Sequence, residues 1–534
     1  MPKGFISLVL HAHLPFVRHP EHEFFMEEDW LYEAITETYI PLLKGFESLR
    51  EKGKNFKITM SLTPPLICML DDPLLQERYI RHLNKLIQLS RKEILRTKFL
   101  GPINEAARKY VQIFESCLDY YEKNNRDIVS AFRSFQDSGN LDIITCGATH
   151  GFLPFMNTVK AAQRAQISIA VDHYKKRFNR PPCGIWLPEC AYTRGVDKYL
   201  AENGIKYFFT DGHGVLCAKP RPTYGVYAPV ITENKVAVFG RDLESSQQVW
   251  SSKVGYPGHS DYREFYRDIG FDLDFDYIRP YIHPDGIRMN TGIKYYRITG
   301  NCSLQEKASY CFEKAAYQAV CDAHDFVEKR RAQILKRSFQ MRIPPVVVSP
   351  YDAELFGHWW YEGPLFITEI LDKVCKGQSD IGLITPSEYL EKYGPFQPSQ
   401  PSDSTWGAKG YNEVWLEESN EWIYRHLTEC ARKMISLAKE YPNESGFRKE
   451  ALDQLARELL LAQSSDWAFI MKTKTTVEYA DKRTRVHIDR FNRIYNMFIN
   501  NNIDASYVKE VFNRDNIFAD LDYRVYIPRE DENF

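Results

Sequence analysis

The sequence predicts an α/β fold: a parallel barrel of alternating strands and helices carrying a helical insertion, followed by an α-helical domain. Three observations predict it. Short, β-branched apolar runs recur along the first part of the chain, and helical stretches separate them. Each of five such runs ends at a polar or charged residue: Phe5–Leu10 at His11 and His13, Leu141–Gly147 near His150, Cys183–Pro188 at Glu189, Lys206–Thr210 at Asp211, and Val346–Tyr351 at Asp352. Beyond a Pro- and Ser-rich run at Ser399–Ser404, strand patterns give way to helical ones. In closed parallel barrels the chemistry sits at the carboxyl ends of the strands. Three carboxylates and three histidines occupy those places here.

Each element follows in order. Phe5–Leu10 is a strand, Leu31–Lys52 a helix and Lys57–Leu62 a second strand, stopped by Thr63-Pro64-Pro65. Residues 73–138 are helical, with apolar residues at helical spacing over Leu74–Lys92 and Asn104–Asn124. That is longer than an ordinary crossover and reads as an insertion. The alternation resumes with a strand at Leu141, a helix at Val159–Phe178, a strand at Ile185 and a helix at Val196–Asn203. Residues 224–296 break the pattern. Val226–Ile231 and Lys235–Gly240 flank Thr232-Glu233-Asn234 as a hairpin, and the Gly-, Pro-, Asp- and Tyr-rich stretch after it reads as a wall or lid over the site. A helix at Ser303–Phe339 leads to the strand at Val346. The expected division is a barrel over 1–398 and a helical domain over 405–534, with helices near Asn412–Tyr441, Gly446–Lys472, Thr475–Asn500 and Ala505–Asn513.

The bulk numbers bound the function. With 534 residues the chain exceeds a single simple domain, and 44% hydrophobic residues supply a sizeable core. A formal net charge of −2 gives no electrostatic case for nucleic acid or an anionic membrane as partner. No segment approaches the ~18 apolar residues of a membrane span. The N-terminal apolar run is too short for a signal peptide. The 11 cysteines form no C-x-x-C pair, which suits reduced thiols in a cytoplasmic protein. Aromatic residues reach 14%, a supply of rings for core packing or for stacking on flat apolar faces such as sugars.

Three constellations carry chemistry. In an extended segment His11 and His13 share a face, so both imidazoles can enter one cavity. Such an H-x-H pair with a nearby Asp could also bind zinc. Trp186-Leu187-Pro188-Glu189 places a carboxylate straight after an apolar strand, where it is costly unless paired or used. The run Ser349–Trp360 packs Asp352, Glu354, His358, Trp359 and Trp360 behind a Val-Val-Val strand. Two carboxylates on opposite sides of one barrel suit glycosidic chemistry, one attacking the anomeric carbon and the other protonating the leaving oxygen.

Together, His11–Pro15, Gly147–Pro154, Trp186–Tyr192, Ser349–Gly363 and Ser465-Asp466-Trp467 resemble, in order, the motifs of glycoside hydrolase family 57. The likeness is to its α-1,4-glucan branching enzymes and the related enzymes described as α-amylases. It implies a distorted (β/α)7 barrel with a helical insertion and a C-terminal helical domain that closes the cleft. It further implies Glu189 as nucleophile, Asp352 as general acid/base, and His11, His13 and His150 at the donor subsite. Trp30, Trp186, Arg241, Trp360, Trp406, Trp415 and Asp466 would line the substrate. Family branching enzymes shield the covalent intermediate with a loop tyrosine, for which Tyr256 and Tyr262 are the candidates here. No metal or cofactor is implied. The expected activity is retaining α-1,4-glucan branching in storage-glucan metabolism, acting on amylose, amylopectin or glycogen. An α-amylase or 4-α-glucanotransferase on the same site is the alternative, since loops rather than catalytic motifs select the acceptor. A metal-dependent deacetylase or mannosidase using the H-x-H pair is a more distant one, and a non-catalytic glucan-binding protein another.

Overall fold

The computed structural model describes residues 2–251, 254–376 and 380–532. Its strands are β1 (Gly4–Ala12), β2 (Ile58–Leu62), β3 (Leu141–Ile144), β4 (Gly184–Ile185), β5 (Tyr207–Thr210), β6 (Val230–Ile231), β7 (Ala237–Gly240), β8 (Val346–Asp352) and β9 (Ile381–Leu383). One parallel sheet runs β3-β2-β1-β8, and a second path runs β4-β5-β7-β6. A parallel bridge between Thr145 and Ile185 joins β3 to β4. At the other seam the Asp242 N–H donates to the Val348 carbonyl at 2.9 Å, joining β7 to β8. The ring β1, β2, β3, β4, β5, β7, β8 is thereby closed and distorted, with few ladder bonds at both seams. β9 pairs with the first residues of β1, and antiparallel β6 makes the expected hairpin with β7.

Strand alternation sorts the side chains. Ile6, Leu8, Leu10 and Ala12 of β1 belong to the large core shared with the surrounding helices. Phe5 and Val9 belong to a second core with Ile144, Cys146, Trp186, Tyr207, Phe209, Phe239, Val346 and Val348, which fills the barrel. Because the period is two, His11 falls on the same face as Val9, and Asp352 on the same face as Val346 and Val348. Both therefore enter the mouth of the barrel, and the β1–β8 register sets them opposite each other. Gly184 is required by this packing, since a Cβ there would lie 2.3 Å from the Tyr207 ring.

The insertion is helical as expected, with Pro73–Arg96, Pro102–Lys123 and Ile128–Asp137. The long helix before β8 is shorter than read, Phe312–Ser338, because Leu304–Glu306 form a separate single turn and Ser309 bridges to Tyr296. In the C-terminal part the helices are Trp422–Glu440, Gly446–Ala462, Ser465–Thr473, Val477–Ile499 and Ala505–Arg514. Helix Gly446–Ala462 is buried on every face from Ala451 onward, so it is the hub of this part. It docks on the barrel where the Thr149 hydroxyl donates to the Leu460 carbonyl and the Gln166 amide donates to Gln463 at 3.1 Å. The stretch read as one helix, Gly446–Lys472, breaks at Gln463–Ser464. The Pro- and Ser-rich run is also no loose strap: Ser399 and Ser404 are buried, and Gln400 and Ser404 bridge to Lys219 and Tyr192. Among the described residues no helix is long and apolar enough to cross a membrane.

Candidate active site

Glu189 follows the short strand β4 in a one-turn helix, Pro188–Cys190, and adopts φ 60°, ψ 24°. Cys190 and His150 also have positive φ. Non-glycine residues in this left-handed region cost energy, so neighbours must hold them there. Here the segment through Ser404 and Trp406 does so. The Tyr192 N–H donates to the Ser404 carbonyl at 2.9 Å, and the Trp406 N–H donates to the Glu189 carbonyl at 3.1 Å.

Both carboxylate oxygens of Glu189 accept a hydrogen bond. The Trp406 indole N–H donates to Oε2 at 3.0 Å, and the Ser465 hydroxyl donates to Oε1 at 2.7 Å. Burial pushes the Glu189 carboxyl up, and these two bonds work against that push. Asp352 differs: among the described residues its carboxylate accepts no hydrogen bond. Burial drives its pKa well above the usual range, and the charges of Glu354 and Glu189 drive it the same way. Arg241, whose Nε donates to Asp211 at 2.6 Å, opposes the shift. Glu354 is itself pushed up to about 7 by burial, although the Tyr39 hydroxyl donates to it at 2.5 Å and the His13 N–H at 3.1 Å. Both carboxyls are thus pushed up by burial, but only Glu189 has donors that favour its anion, a difference of setting of the kind retaining glycosidases use.

The three histidines form a stacked group, with the His13 and His150 ring centroids 3.8 Å apart. Burial, together with the other histidines, lowers the pKa of His11 and of His150 well below the usual value, so both are neutral. Burial acts against a charge on His13 as well, but Asp466, Glu354 and Glu189 together outweigh it and raise its pKa. Asp466 in turn is held well below the carboxylate range against the effect of burial, chiefly by His13 at 3.0 Å. The neutral pair then has one consistent set of tautomers. Ser465 gives its proton to Glu189 and accepts from His150 Nδ1 at 2.8 Å. That leaves His150 Nε2 bare to accept from His11 Nε2 at 3.0 Å, and His11 Nδ1 bare to accept from Ser61 at 2.8 Å. A directed chain Ser61–His11–His150–Ser465 ends on the candidate nucleophile.

Three side chains here, His13, His150 and Asp466, lie close enough to hold a metal ion. Their chemistry fits an ion pair better. Both His13 nitrogens are engaged, by Thr63 and Asp466, and both His150 nitrogens by Ser465 and His11.

Of the residues expected at the site, the structure gathers His11, His13, His150, Trp186, Glu189, Asp352, Trp406 and Asp466, with Arg241 alongside. Trp186 stacks on His11 at 4.9 Å and meets Trp406 at 4.8 Å. Trp30 packs edge-on to Tyr479 instead. As substrate-lining residues Trp186, Trp415 and Trp360 are corrections: Trp186 is 0% exposed, packed between His11 and Trp406, and the other two are 1% exposed. Trp415 stacks on Phe152, and Trp360 packs on Phe366 and Tyr262, so neither presents a face to a ligand. The tyrosine candidates have partners of their own. Tyr262 is fully buried and donates to Asp322, while Tyr256 donates to Asp325 at 2.7 Å. Both hydroxyls are therefore held to helix Phe312–Ser338 in this structure. Ser61, Thr63, Tyr39 and Ser465 were missed as site residues. Only Ser465 had a sequence signal, its place beside Asp466.

With this geometry in hand, similarity to known proteins is decisive. The model of glycosyl hydrolase family 57 matches residues 7–398. The chain belongs to glycosyl hydrolase family 57. Residues 426–526 also match the family model described as the C-terminal part of 1,4-alpha-glucan branching enzyme. The 1,4-alpha-glucan branching enzyme of Thermococcus kodakarensis is 32% identical over 98% of this chain and 79% of its own length. Among solved structures, the α-amylase AmyC of Thermotoga maritima is 45% identical and superposes with a TM-score of 0.93, covering 98% of this chain and 99% of its own. The family 57 branching enzyme of Pyrococcus horikoshii is 32% identical with a TM-score of 0.88, covering 99% and 97%. These likenesses establish the distorted (β/α)7 barrel with its C-terminal helices.

Proposed function

We propose that this family 57 chain is a retaining 1,4-α-glucan branching enzyme. It cuts an α-1,4 bond, carries the released chain on Glu189, and passes it to a 6-hydroxyl. The observation that carries the reading is the pairing of a likeness to a branching enzyme over 98% of this chain with a separate match of residues 426–526 to the branching-enzyme C-terminal family. In the reaction Glu189 attacks the anomeric carbon while protonated Asp352 gives its proton to the leaving oxygen. Deprotonated Asp352 then takes the proton of the acceptor hydroxyl, and Glu189 departs. Trp406 and Ser465 position Glu189 for attack, and the histidine group binds the sugar beside it. The substrate class is α-glucan polysaccharide. A cytoplasmic setting fits the 11 free cysteines.

The likeness to an α-amylase favours one second reading, in which water competes as acceptor on the same site. Linkage analysis of amylose after incubation decides between them. New α-1,6 bonds formed faster than reducing ends are released support branching; the reverse supports an α-amylase. In either case Glu189→Gln should abolish turnover and keep the fold, because the amide cannot form the glycosyl ester. More than a few per cent of wild-type rate in that variant would remove Glu189 from the mechanism.

A further inference from the structure

Asp211 directly follows β5, as Arg241 follows β7, and the parallel register pairs Thr210 with Gly240 just before them. Phe209 and Phe239, two residues earlier on each strand, fill the barrel, so alternation turns Asp211 and Arg241 into its mouth. Asp211 is buried, and each of its oxygens accepts one bond. Arg241 Nε donates to Oδ1 at 2.6 Å, and His213 Nδ1 donates to Oδ2 at 2.9 Å. Among the described residues Asp211 is the only side chain that Arg241 hydrogen-bonds.

His213 is held in turn from the far side. Gly410 has φ 83°, and a Cβ there would lie 2.5 Å from His213 Cε1, so only glycine can press on the ring at this point. The Tyr411 ring meets the imidazole edge-on at 5.4 Å. The Thr405 N–H donates to the Gly410 carbonyl at 2.9 Å and closes the turn that also carries Trp406. One turn thus reaches Glu189 through the Trp406 indole and reaches Arg241 through His213 and Asp211.

We propose that Asp211 and His213 are positioning residues for the general acid/base, holding Arg241 in a fixed place beside Asp352. The inference rests on the reading of Asp352 as that acid. Arg241 faces Asp352 as an opposite charge, Glu354, Glu189 and Asp466 face it as like charges, and the neutral His11 lies across from it in the sheet. The Cys190 thiol, also against Arg241 and Asp211, is kept neutral by burial. At close range an opposite charge favours the ionised carboxyl. A guanidinium deprived of Asp211 turns to Asp352, which then gives up its proton at a lower pH and is spent as an acid sooner.

The pH dependence of kcat/KM on amylose tests this. In Asp211→Asn the basic limb should move down by about one pH unit, so the rate above it falls about tenfold and the rate on its acid side much less. His213→Ala should move the limb the same way by less, and His213→Asn, whose side-chain amide can donate in place of Nδ1, should restore it. A limb at the wild-type pH in folded Asp211→Asn and His213→Ala would overturn the positioning role and leave Asp352 standing as the acid. Should Asp211→Asn not fold, the two His213 variants decide alone. If Asp352→Asn, assayed on a glycoside with an activated leaving group, keeps the wild-type basic limb, the reading of Asp352 falls and this inference with it.

Discussion

Glu189 and Asp352 carry the same chemical group in opposite settings. Two neutral donors grip Glu189, while Asp352 has no such donor among the described residues and sits near like charges that Arg241 only partly offsets. Removing the Ser465 hydroxyl takes away one bond that favours the Glu189 anion. Ser465→Ala should lower kcat on the order of tenfold, as the loss of a hydrogen bond to a charged group implies. It should also move the acidic limb of the pH–rate profile to higher pH. A rate loss equal at all pH would show that the hydroxyl is merely structural. Asp352 predicts a trade-off. Its folded-state pKa lies above its unfolded one, so its favourable contribution is present in acid, below the unfolded value, and is lost as pH rises through the folded value. Asp352→Asn should abolish turnover of natural glucan and raise the melting temperature at neutral pH, with the gain shrinking to nothing in acid. A lower melting temperature at pH 7 would contradict this. His11, Glu189 and Asp352 were legible in the sequence because each interrupts an apolar run at a strand end. Ser61, Thr63 and Ser465 were not, because a serine or threonine acquires such a role only from partners that folding brings up from 50 or more positions away.

At the scale of elements, the break at Gln463–Ser464 matters most. Both halves of the stretch have strong helix formers, so periodicity shows no interruption. The structure breaks it because the Ser465 N–H donates to the His150 carbonyl at 3.0 Å, which starts a new helix at the mouth of the barrel. Functional sites are where local propensity is expected to yield. The strands were legible for the opposite reason: buried on both faces, they read as continuous apolar runs. The turn after β8 offers a test. Gly357 has φ 131°, and a Cβ there would lie 2.0 Å from the Glu37 carbonyl. Gly357→Ala should cost roughly 1–3 kcal/mol through backbone strain. Activity should fall further than stability, since the same turn carries Asp352 and Glu354. Thermal unfolding beside an amylose assay checks both, and an unchanged melting temperature would show that the turn relaxes freely.

Across the whole molecule, the barrel and the C-terminal helices are joined by more than apolar packing. Arg164, on helix Lys160–Phe178, forms a bidentate ion pair with Glu532 at 2.8 and 3.0 Å and donates to the Val525 and Ile527 carbonyls. Removing one partner leaves a buried charge unpaired. Glu532→Ala should therefore cost ~3–5 kcal/mol, read as a lower denaturation midpoint, while Arg164→Met with Glu532→Leu should recover much of it. Equal losses in the single and double variants would mean that packing, not charge, holds the tail. The grip on Glu189 spans the same division, for Ser465 lies 276 positions downstream of it in the chain. At ordinary rates of synthesis, a ribosome needs roughly 15–55 s to cover that distance. In the last part of that interval, once Asp352 has been made, a nascent barrel can hold both carboxylates, but its nucleophile lacks the hydroxyl that orients it. The order of translation thus leaves the half-made protein on the order of tenfold slower than it becomes once Ser465 has emerged and docked.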